Sequence, residues 1–125
     1  MKFSILNVSD TCARQQNLDK SGPILIDLLN KSTKLVAEIV TYTIVADEIS
    51  EIECFLKRYA PESDIILTIG GTGLSKRDIT PEATKNVIER ECNGISTALL
   101  VRGLQSTKNA ALSRHVISEI FKVEL

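Results

Sequence analysis

The hydrophobic and polar positions of the chain follow two periods, one typical of buried strands and one typical of amphipathic helices. Runs of aliphatic and β-branched residues predict strands over Lys2–Val8, residues 34–45 and residues 64–69. Apolar residues at helical spacing predict helices over Ser21–Asn30 and residues 48–59, each between two of these strands. Strands that alternate with helices are typical of right-handed βαβ units, so the pattern predicts an α/β fold around a mostly parallel sheet.

The remaining segments predict shorter elements. Residues 13–20 are polar and predict a loop. Thr80 is the predicted N-cap of a helix over residues 81–91, because a proline at the first helical position and an acidic first turn follow it. The Asn-Gly dipeptide at residues 93–94 predicts a helix stop, and residues 95–102 predict a further short helix.

Length and composition indicate one ordinary globular domain, expected over residues 1–125. Hydrophobic residues make up 43% of the chain and charged residues 25%, which is the usual balance for such a domain. The net charge of -1 and the scarcity of aromatic side chains argue against a nucleic-acid partner. We find no apolar run of membrane-spanning length and no signal peptide before the first strand, so we expect no transmembrane segment and a cytoplasmic location.

The cysteines and the single histidine give no sign of a metal centre or a nucleophilic centre. Cys12, Cys54 and Cys92 are odd in number and far apart, without the paired spacing of a zinc site, and are expected to be reduced thiols. His115 has no partner motif for a catalytic triad. We therefore look for the chemistry elsewhere in the chain.

The most informative segment is the loop Gly70-Gly71-Thr72-Gly73, called the glycine loop below, which lies between the third predicted strand and the helix start at Thr80. A glycine-rich loop between a strand and a helix lets backbone amides approach an anion without Cβ atoms in the way. Glycine loops are also common turns, so the loop alone leaves a purely structural interpretation open.

Asp47 and Asp78 form a candidate pair of carboxylates for a divalent cation beside a phosphate site. Each has a structural alternative: Asp47 could cap the helix that begins at Glu48, and Asp78 could brace the glycine loop. Ser9 and Asp10 follow the first predicted strand. Because the carboxyl ends of parallel strands meet at one edge of a sheet, we expect these side chains and the glycine loop to border one crevice.

Basic residues and a second helix start could also serve an anionic ligand. Ser21 and Gly22 precede Pro23 and give a helix N-terminus that could accept an anion, although an ordinary cap explains them equally well. Four cations could neutralise phosphate charge, although any one of them is more often a solvated surface residue: Lys20, Lys76, Arg77 and Arg114.

Together these segments resemble the molybdopterin-binding G domain of gephyrin, in the molybdopterin adenylyltransferase family of molybdenum-cofactor biosynthesis. The resemblance runs from about Phe3 to Arg114, and its most specific part is the string from Gly70 to Thr84. Details outside that string are most similar to insect gephyrin-like proteins. The matching stretches are residues 7–12, 20–23, 44–48, 66–91 and 111–114.

The resemblance implies a three-layer αβα sandwich with a mostly parallel sheet, assembled as a trimer. It also implies that the chain binds molybdopterin and uses Mg-ATP to adenylate the terminal phosphate of molybdopterin, with release of pyrophosphate. Asp47 and Asp78 would be the catalytic acids and the Mg²⁺ ligands, and the glycine loop would cradle phosphate. Further matching positions would bind substrate or nucleotide: Ser9, Asp10, Ser21, Gly22, Thr80, Glu82, Ser113 and Arg114.

The sequence departs from the family in three places. Ala46 and Lys76 stand where the family usually has proline. After Arg114 the family continues through a further strand, a loop and a long helix, whereas residues 115–125 form a divergent tail that fits either a strand or a helix. The expected domain therefore lacks the last strand and helix of the sandwich.

Two hypotheses about function remain open from the sequence. Asp47, Asp78 and the glycine loop favour a molybdopterin adenylyltransferase that requires Mg²⁺ and ATP. The divergent tail leaves open a non-catalytic module that binds molybdopterin or joins a scaffold of the gephyrin type. A phospho-receiver domain is disfavoured, because its third strand would end in an aspartate where this chain has Ile69 and Gly70.

Overall fold

A parallel sheet of three strands forms the centre of the structure, a computed structural model that describes residues 1–119. Its strands are β1 (Lys2–Val8), β2 (Glu38–Val45) and β3 (Ile65–Ile69), in the order β2-β1-β3. Both β2 and β3 pair with β1 in the parallel direction. The carboxyl ends of all three strands therefore lie at the same edge of the sheet.

Helices and a small antiparallel ladder complete the described part of the chain. The helices are α1 (Asp10–Arg14), α2 (Ser21–Asn30), α3 (Ile49–Tyr59), α4 (Thr80–Lys85) and α5 (Asn93–Ser106). Short 3₁₀ turns cover Gln16–Leu18, Ala60–Glu62 and Lys108–Leu112, and the ladder pairs β4 (Arg90–Glu91) with β5 (Ser118–Glu119). None of these helices has the length and the apolar character needed to span a bilayer.

The main core lies between one face of the sheet and helices α3 and α4. Leu6 and Val8 alternate with residues that point to the other face of β1, and both are buried against Ile52 and Phe55 of α3. Ala83 of α4 completes this cluster. Because α3 carries its apolar residues at helical spacing, it presents one stripe to the sheet and leaves its charged residues in solvent.

Helix α2 contacts the opposite face of the sheet through Gly22, near its N-terminus. Ile5 is fully buried on that face and pairs with Tyr42 of β2 in the register of the sheet. Gly22 of α2 packs directly on the Tyr42 side chain, so a Cβ at this position would collide with the phenol group. Helices therefore lie on both faces of the sheet, and the predicted three-layer αβα sandwich with a parallel sheet is confirmed.

Two predicted helix boundaries are wrong. The helix after the glycine loop ends at Lys85 rather than at residue 91, because residues 86–87 form a turn that places Val87 against the core. The dipeptide at residues 93–94 begins α5 instead of ending a helix. Asparagine and glycine are accepted at helix N-termini as well as after helix C-termini, so the dipeptide marks a boundary without giving its direction.

Other segments differ from expectation by smaller amounts. The second strand begins at Glu38, and the polar stretch at residues 13–20 contains the end of α1 and a 3₁₀ turn rather than only loop. In the tail, Ser118–Glu119 is a strand, whereas residues 120–125 lie outside the described residues. Within residues 1–119 the parallel sheet consists of β2, β1 and β3.

Candidate functional site

The carboxyl ends of the three parallel strands border one cleft with a volume of about 390 Å³. Parallel α/β sheets bind ligands at this edge, because the connections after successive strands diverge there and leave a crevice. The structure brings seven of the residues proposed from the sequence to the wall of this cleft: Ser9, Lys20, Ser21, Asp47, Gly70, Gly71 and Asp78.

Two residues of the glycine loop require glycine for backbone reasons. Gly70 has a φ of 87° and Gly71 a φ of 62°, a region that other residues rarely adopt. A Cβ at Gly70 would collide with the carbonyl oxygen of Val8, and one at Gly71 would collide with the Thr80 hydroxyl. The loop is thus folded tightly over the end of β1, which places its backbone at the cleft.

Thr80 holds the first two carbonyl groups of the glycine loop. Its hydroxyl donates to the Gly70 carbonyl at 3.0 Å, and its backbone N–H donates to the Gly71 carbonyl at 3.0 Å. The predicted N-cap role of Thr80 is wrong, because Ile79 occupies the cap position and Thr80 is the first residue of α4. The hydroxyl therefore fixes the loop instead of the helix terminus.

Arg114 holds the rest of the glycine loop from outside the cleft. Its backbone N–H donates to the Thr72 carbonyl at 2.9 Å, and its Nε donates to the Gly73 carbonyl at 2.7 Å. Its guanidinium also donates to the Asp78 carbonyl at 2.6 Å and to the carboxylate of Glu82. This ion pair holds the pKa of the Glu82 carboxyl below its usual range.

All four carbonyl groups of the glycine loop are thus occupied by Thr80 and Arg114. The amide groups of Gly71, Thr72 and Gly73, in contrast, donate to no acceptor within residues 1–119. Successive backbone N–H groups without internal acceptors form a concave site suited to an anion. Helix α4 adds little dipole to this site, because it has six residues instead of the eleven expected from the sequence.

We expect Thr80→Val to destabilise the protein by about 1 kcal/mol, because the partly buried hydrogen bond from the Thr80 hydroxyl to the Gly70 carbonyl would be lost without a change in side-chain shape. Urea denaturation followed by circular dichroism measures this change. Thr97→Val is the matched control, since the exposed Thr97 hydroxyl also donates to a backbone carbonyl, that of Asn93, at 2.9 Å. An effect of Thr80→Val no larger than that of the control would contradict the proposed role of the hydroxyl.

The carboxylates of Asp47 and Asp10 each accept a hydrogen bond from the backbone N–H of the other residue. The Asp10 N–H donates to Asp47 Oδ2 at 2.9 Å, and the Asp47 N–H donates to Asp10 Oδ1 at 3.1 Å. Asp47 Oδ1 instead lies beside Gly71, at 3.2 Å from the place where a Cβ would stand. Asp47 is not the cap of α3, because Glu48 occupies that position and makes no capping hydrogen bond through its side chain.

The two carboxyl groups have opposite electrostatic environments. Burial raises the pKa of Asp47, and the negative charges of Asp10 and Asp78 raise it further against the opposing bond from the Asp10 N–H. Hydrogen bonds from the Arg77 side chain lower the pKa of Asp10, and Arg77 in turn has a raised pKa. Asp47 is therefore the carboxyl group of this pair that gains most from a cation in the cleft.

Asp78 lies close to Gly73 of the glycine loop, and its backbone carbonyl accepts a hydrogen bond from Arg114. Its carboxylate folds under Gly73, 2.5 Å from the place of a Cβ there, and accepts no hydrogen bond from any of residues 1–119. Its charge acts on Asp47. Both carboxylates thus have oxygen atoms available at the cleft, one beside Gly71 and one beneath Gly73.

The four cations considered as phosphate ligands separate into two groups. The side chain of Arg77 donates to carboxylates of the protein itself, and that of Arg114 donates to backbone carbonyl groups. Lys20 is exposed and lines the cleft next to Ser21, so it is placed to meet an anionic ligand. Lys76 is exposed and borders a separate surface depression.

The other proposed binding residues lie behind the cleft wall. Gly22 packs on Tyr42, and Ser113 Oγ lies 3.4 Å from Thr72 Oγ1 and 3.1 Å from His115 Nδ1. His115 Nε2 lies 3.0 Å from the Ser96 carbonyl, which can only accept, so this ring nitrogen carries the proton. These residues support the glycine loop and α2, and their predicted contacts with substrate remain predictions.

Sequence reasoning missed Asp19, which lines the cleft and accepts the Gly22 N–H at 3.1 Å. The signal was an aspartate three residues before a backbone N–H at a helix start. It also missed the pairing of Arg77 with Asp10, for which a separation of 67 residues leaves no signal in a single sequence.

A sequence profile described as "Probable molybdopterin binding domain" matches residues 4–122. The chain belongs to the molybdopterin-binding domain family. This molybdopterin-binding domain is 39% identical over 117 residues to the molybdenum cofactor synthesis protein cinnamon of Drosophila melanogaster, covering 90% of this chain and 19% of that protein. It is 38% identical over 91 residues to a molybdopterin adenylyltransferase of Pyrococcus furiosus, covering 72% of this chain and 52% of that protein.

Solved structures agree with this family. The molybdopterin biosynthesis enzyme MoaB of Thermus thermophilus has a TM-score of 0.82 and 36% sequence identity, and the match covers 95% of this molybdopterin-binding domain and 74% of that chain. The chain spans less than two thirds of the length of both sequence relatives named above. The family resemblance inferred from the sequence and its α/β fold are confirmed.

Proposed function

We propose that this domain adenylates molybdopterin with Mg-ATP and releases pyrophosphate. The observation that carries the proposal is the arrangement of the glycine loop, whose carbonyl groups are all bound by Thr80 and Arg114 while three of its amides have no acceptor within residues 1–119. Of this loop, Gly70 and Gly71 line the same cleft as Asp47 and Asp78. The name of the Pyrococcus furiosus relative supports the same activity.

The reaction requires two anions to approach each other. An oxygen of the molybdopterin phosphate would attack the α-phosphorus of ATP, the bond from that phosphorus to the bridging oxygen would break, and pyrophosphate would leave with the bonding electrons. Amide dipoles that are fixed before substrate arrives stabilise the charge on the phosphoryl oxygens without reorganisation. The amides of the glycine loop would do this work, with Lys20, which also lines the cleft, as a further positive charge.

The carboxylates fit a magnesium ion that is shared with substrate. Mg²⁺ is usually held by one or two carboxylates and completes its octahedron with phosphate oxygens and water. Asp47 and Asp78 supply two carboxylates at the cleft, and within residues 1–119 no third histidine, cysteine or acidic side chain joins them in a metal-binding group. When bound, the ion would neutralise phosphate charge, while Asp47 and Asp78 hold it beside the glycine loop.

Incubation of the purified chain with molybdopterin and ATP labelled at the α-phosphate tests the proposal. We expect one pyrophosphate released for each label transferred to molybdopterin, and loss of both products when EDTA removes Mg²⁺. Binding of molybdopterin by a folded sample without any transfer of label would overturn the enzymatic proposal in favour of a non-catalytic module. Sedimentation of the same sample tests the trimer that the family resemblance implies.

A further inference from the structure

Arg77 connects the chain segments that follow all three parallel strands. It lies in the segment after β3, and its Nε and Nη2 donate to the two carboxylate oxygens of Asp10, after β1, at 3.0 and 2.9 Å. Its Nη2 also donates to Glu48 Oε1, after β2, at 3.1 Å. One guanidinium group thus ties the segment after β3 to the segments after β1 and β2, which Asp10 and Asp47 already join to each other.

The contact with Asp10 reaches Asp47 directly. Arg77 donates hydrogen bonds to both oxygens of the Asp10 side chain, and Asp10 Oδ1 also accepts a hydrogen bond from the Asp47 N–H. The backbone of Asp10 then donates to Asp47 Oδ2. With Oδ2 occupied in this way, Asp47 Oδ1 is the oxygen that faces Gly71 and the glycine loop.

We propose that Arg77 is a positioning residue, which fixes Asp10 so that Asp10 orients the Asp47 carboxylate toward the glycine loop. The inference rests on the adenylation reaction proposed above and adds a residue that does not touch the substrate. The Arg77 side chain is 55% exposed and contributes no core packing, so its loss should leave the fold intact. Its contacts are made to carboxylates of the protein, which leaves the phosphates to other groups.

The geometry requires arginine rather than any cation. A guanidinium group binds both oxygens of a carboxylate at once and thereby fixes the plane of that carboxylate. A lysine ammonium group at the same place would keep the charge but would bind as a single point. The comparison of these two side chains therefore separates positioning from simple charge compensation.

The test compares Arg77→Gln and Arg77→Lys with the unchanged chain under saturating Mg-ATP. We expect Arg77→Gln to lower kcat for pyrophosphate release by about 10- to 100-fold, the usual effect of losing a residue that orients a metal-binding side chain. The KM for molybdopterin should change by less than about threefold, since the phosphate cradle is untouched. Arg77→Lys should recover only part of the lost kcat.

Arg102→Gln is the matched control, because Arg102 is an exposed arginine of α5 whose side chain bonds only to nearby Gln105 in the described residues. It should leave kcat, KM and the melting temperature unchanged. Equal losses in Arg77→Gln and in this control would overturn the proposal, as would complete recovery of kcat in Arg77→Lys.

Amide hydrogen exchange provides a measurement that does not depend on turnover. We expect the amides of Asp10 and Asp47 to exchange at least about 10-fold faster in Arg77→Gln, because each donates to the other carboxylate. The Ser9 amide, which donates to the Val45 carbonyl at 2.9 Å, should be unaffected. Unchanged exchange at Asp10 and Asp47 would overturn the positioning role.

The two proposals fail in distinguishable ways. If the unchanged chain transfers no label but Arg77→Gln accelerates exchange at Asp10 and Asp47, the adenylation reaction is wrong and the effect of Arg77 on Asp47 stands. If the unchanged chain is active and Arg77→Gln has the same kcat and the same exchange rates, adenylation stands and the positioning role is wrong.

Discussion

Replacing Asp47 with asparagine should lower pyrophosphate release by at least about 100-fold, the cost of removing one group that stabilises charge in the transition state. The amide side chain can still accept the Asp10 N–H through its oxygen, so the local backbone should be preserved. It cannot supply the negative oxygen that Asp47 Oδ1 presents beside Gly71. Steady-state assays of pyrophosphate release measure the loss directly.

The same substitution should leave the melting temperature at pH 7 unchanged or higher. Burial and the charges of Asp10 and Asp78 raise the pKa of Asp47 above the ordinary value of 3.8, so the folded state holds this proton more tightly than the unfolded state. The contribution of Asp47 to the free energy of unfolding therefore falls as pH rises from its pKa in the unfolded state to its higher pKa in the folded state. Asparagine carries no charge and escapes this penalty.

Thermal unfolding at two pH values tests whether Asp47→Asn stabilises the protein in the expected pH range. The gain from Asp47→Asn should be present at pH 7 and should shrink as pH falls towards the ordinary value of 3.8, because the raised pKa lets Asp47 take up its proton earlier in the folded state than in the unfolded state. Asp27→Asn is the control, since Asp27 is an exposed partner of Lys31 on α2 and should change stability by no more than about 0.5 kcal/mol. If Asp47→Asn retained more than a tenth of the original rate of pyrophosphate release, the proposed catalytic role of Asp47 would be wrong.

Gly70→Ala should destabilise the protein by about 2–3 kcal/mol, the largest stability effect expected in the glycine loop. The residue has a φ of 87°, where a side chain carries a strain of about 1–3 kcal/mol. The added Cβ would also collide with the Val8 carbonyl oxygen, which is part of the central strand and cannot move away alone. The midpoint of urea denaturation should fall accordingly.

Gly94→Ala is the matched control for this substitution. Gly94 lies in the first turn of α5, its φ is not positive, and no atom stands within 4 Å of the place of a Cβ. Alanine there should be neutral or should stabilise the helix by up to about 1 kcal/mol. Similar urea midpoints for the two variants would show that neither strain nor collision acts at Gly70.

The order of strands and helices could be predicted from the sequence because each element carries its own pattern. The alternation along β1 and the helical spacing of α3 are local signals, and both elements appear close to their predicted bounds. The end of α4 could not be predicted, because it depends on Val87 packing against a core built by other segments. The start of α5 at residues 93–94 could not be distinguished from a helix end, because an Asn-Gly dipeptide suits either end of a helix.

The amino-acid sequence by itself determined that Asp47, Asp78 and the glycine loop follow strands of a parallel sheet, since strand patterns and glycine positions are properties of short segments. The tertiary structure alone decided how the loop presents its amides, because the donors that bind its carbonyl groups come from Thr80 and from Arg114, about 40 residues away. It also decided the electrostatic state of Asp47, because burial and the charges around it arise only when distant segments meet.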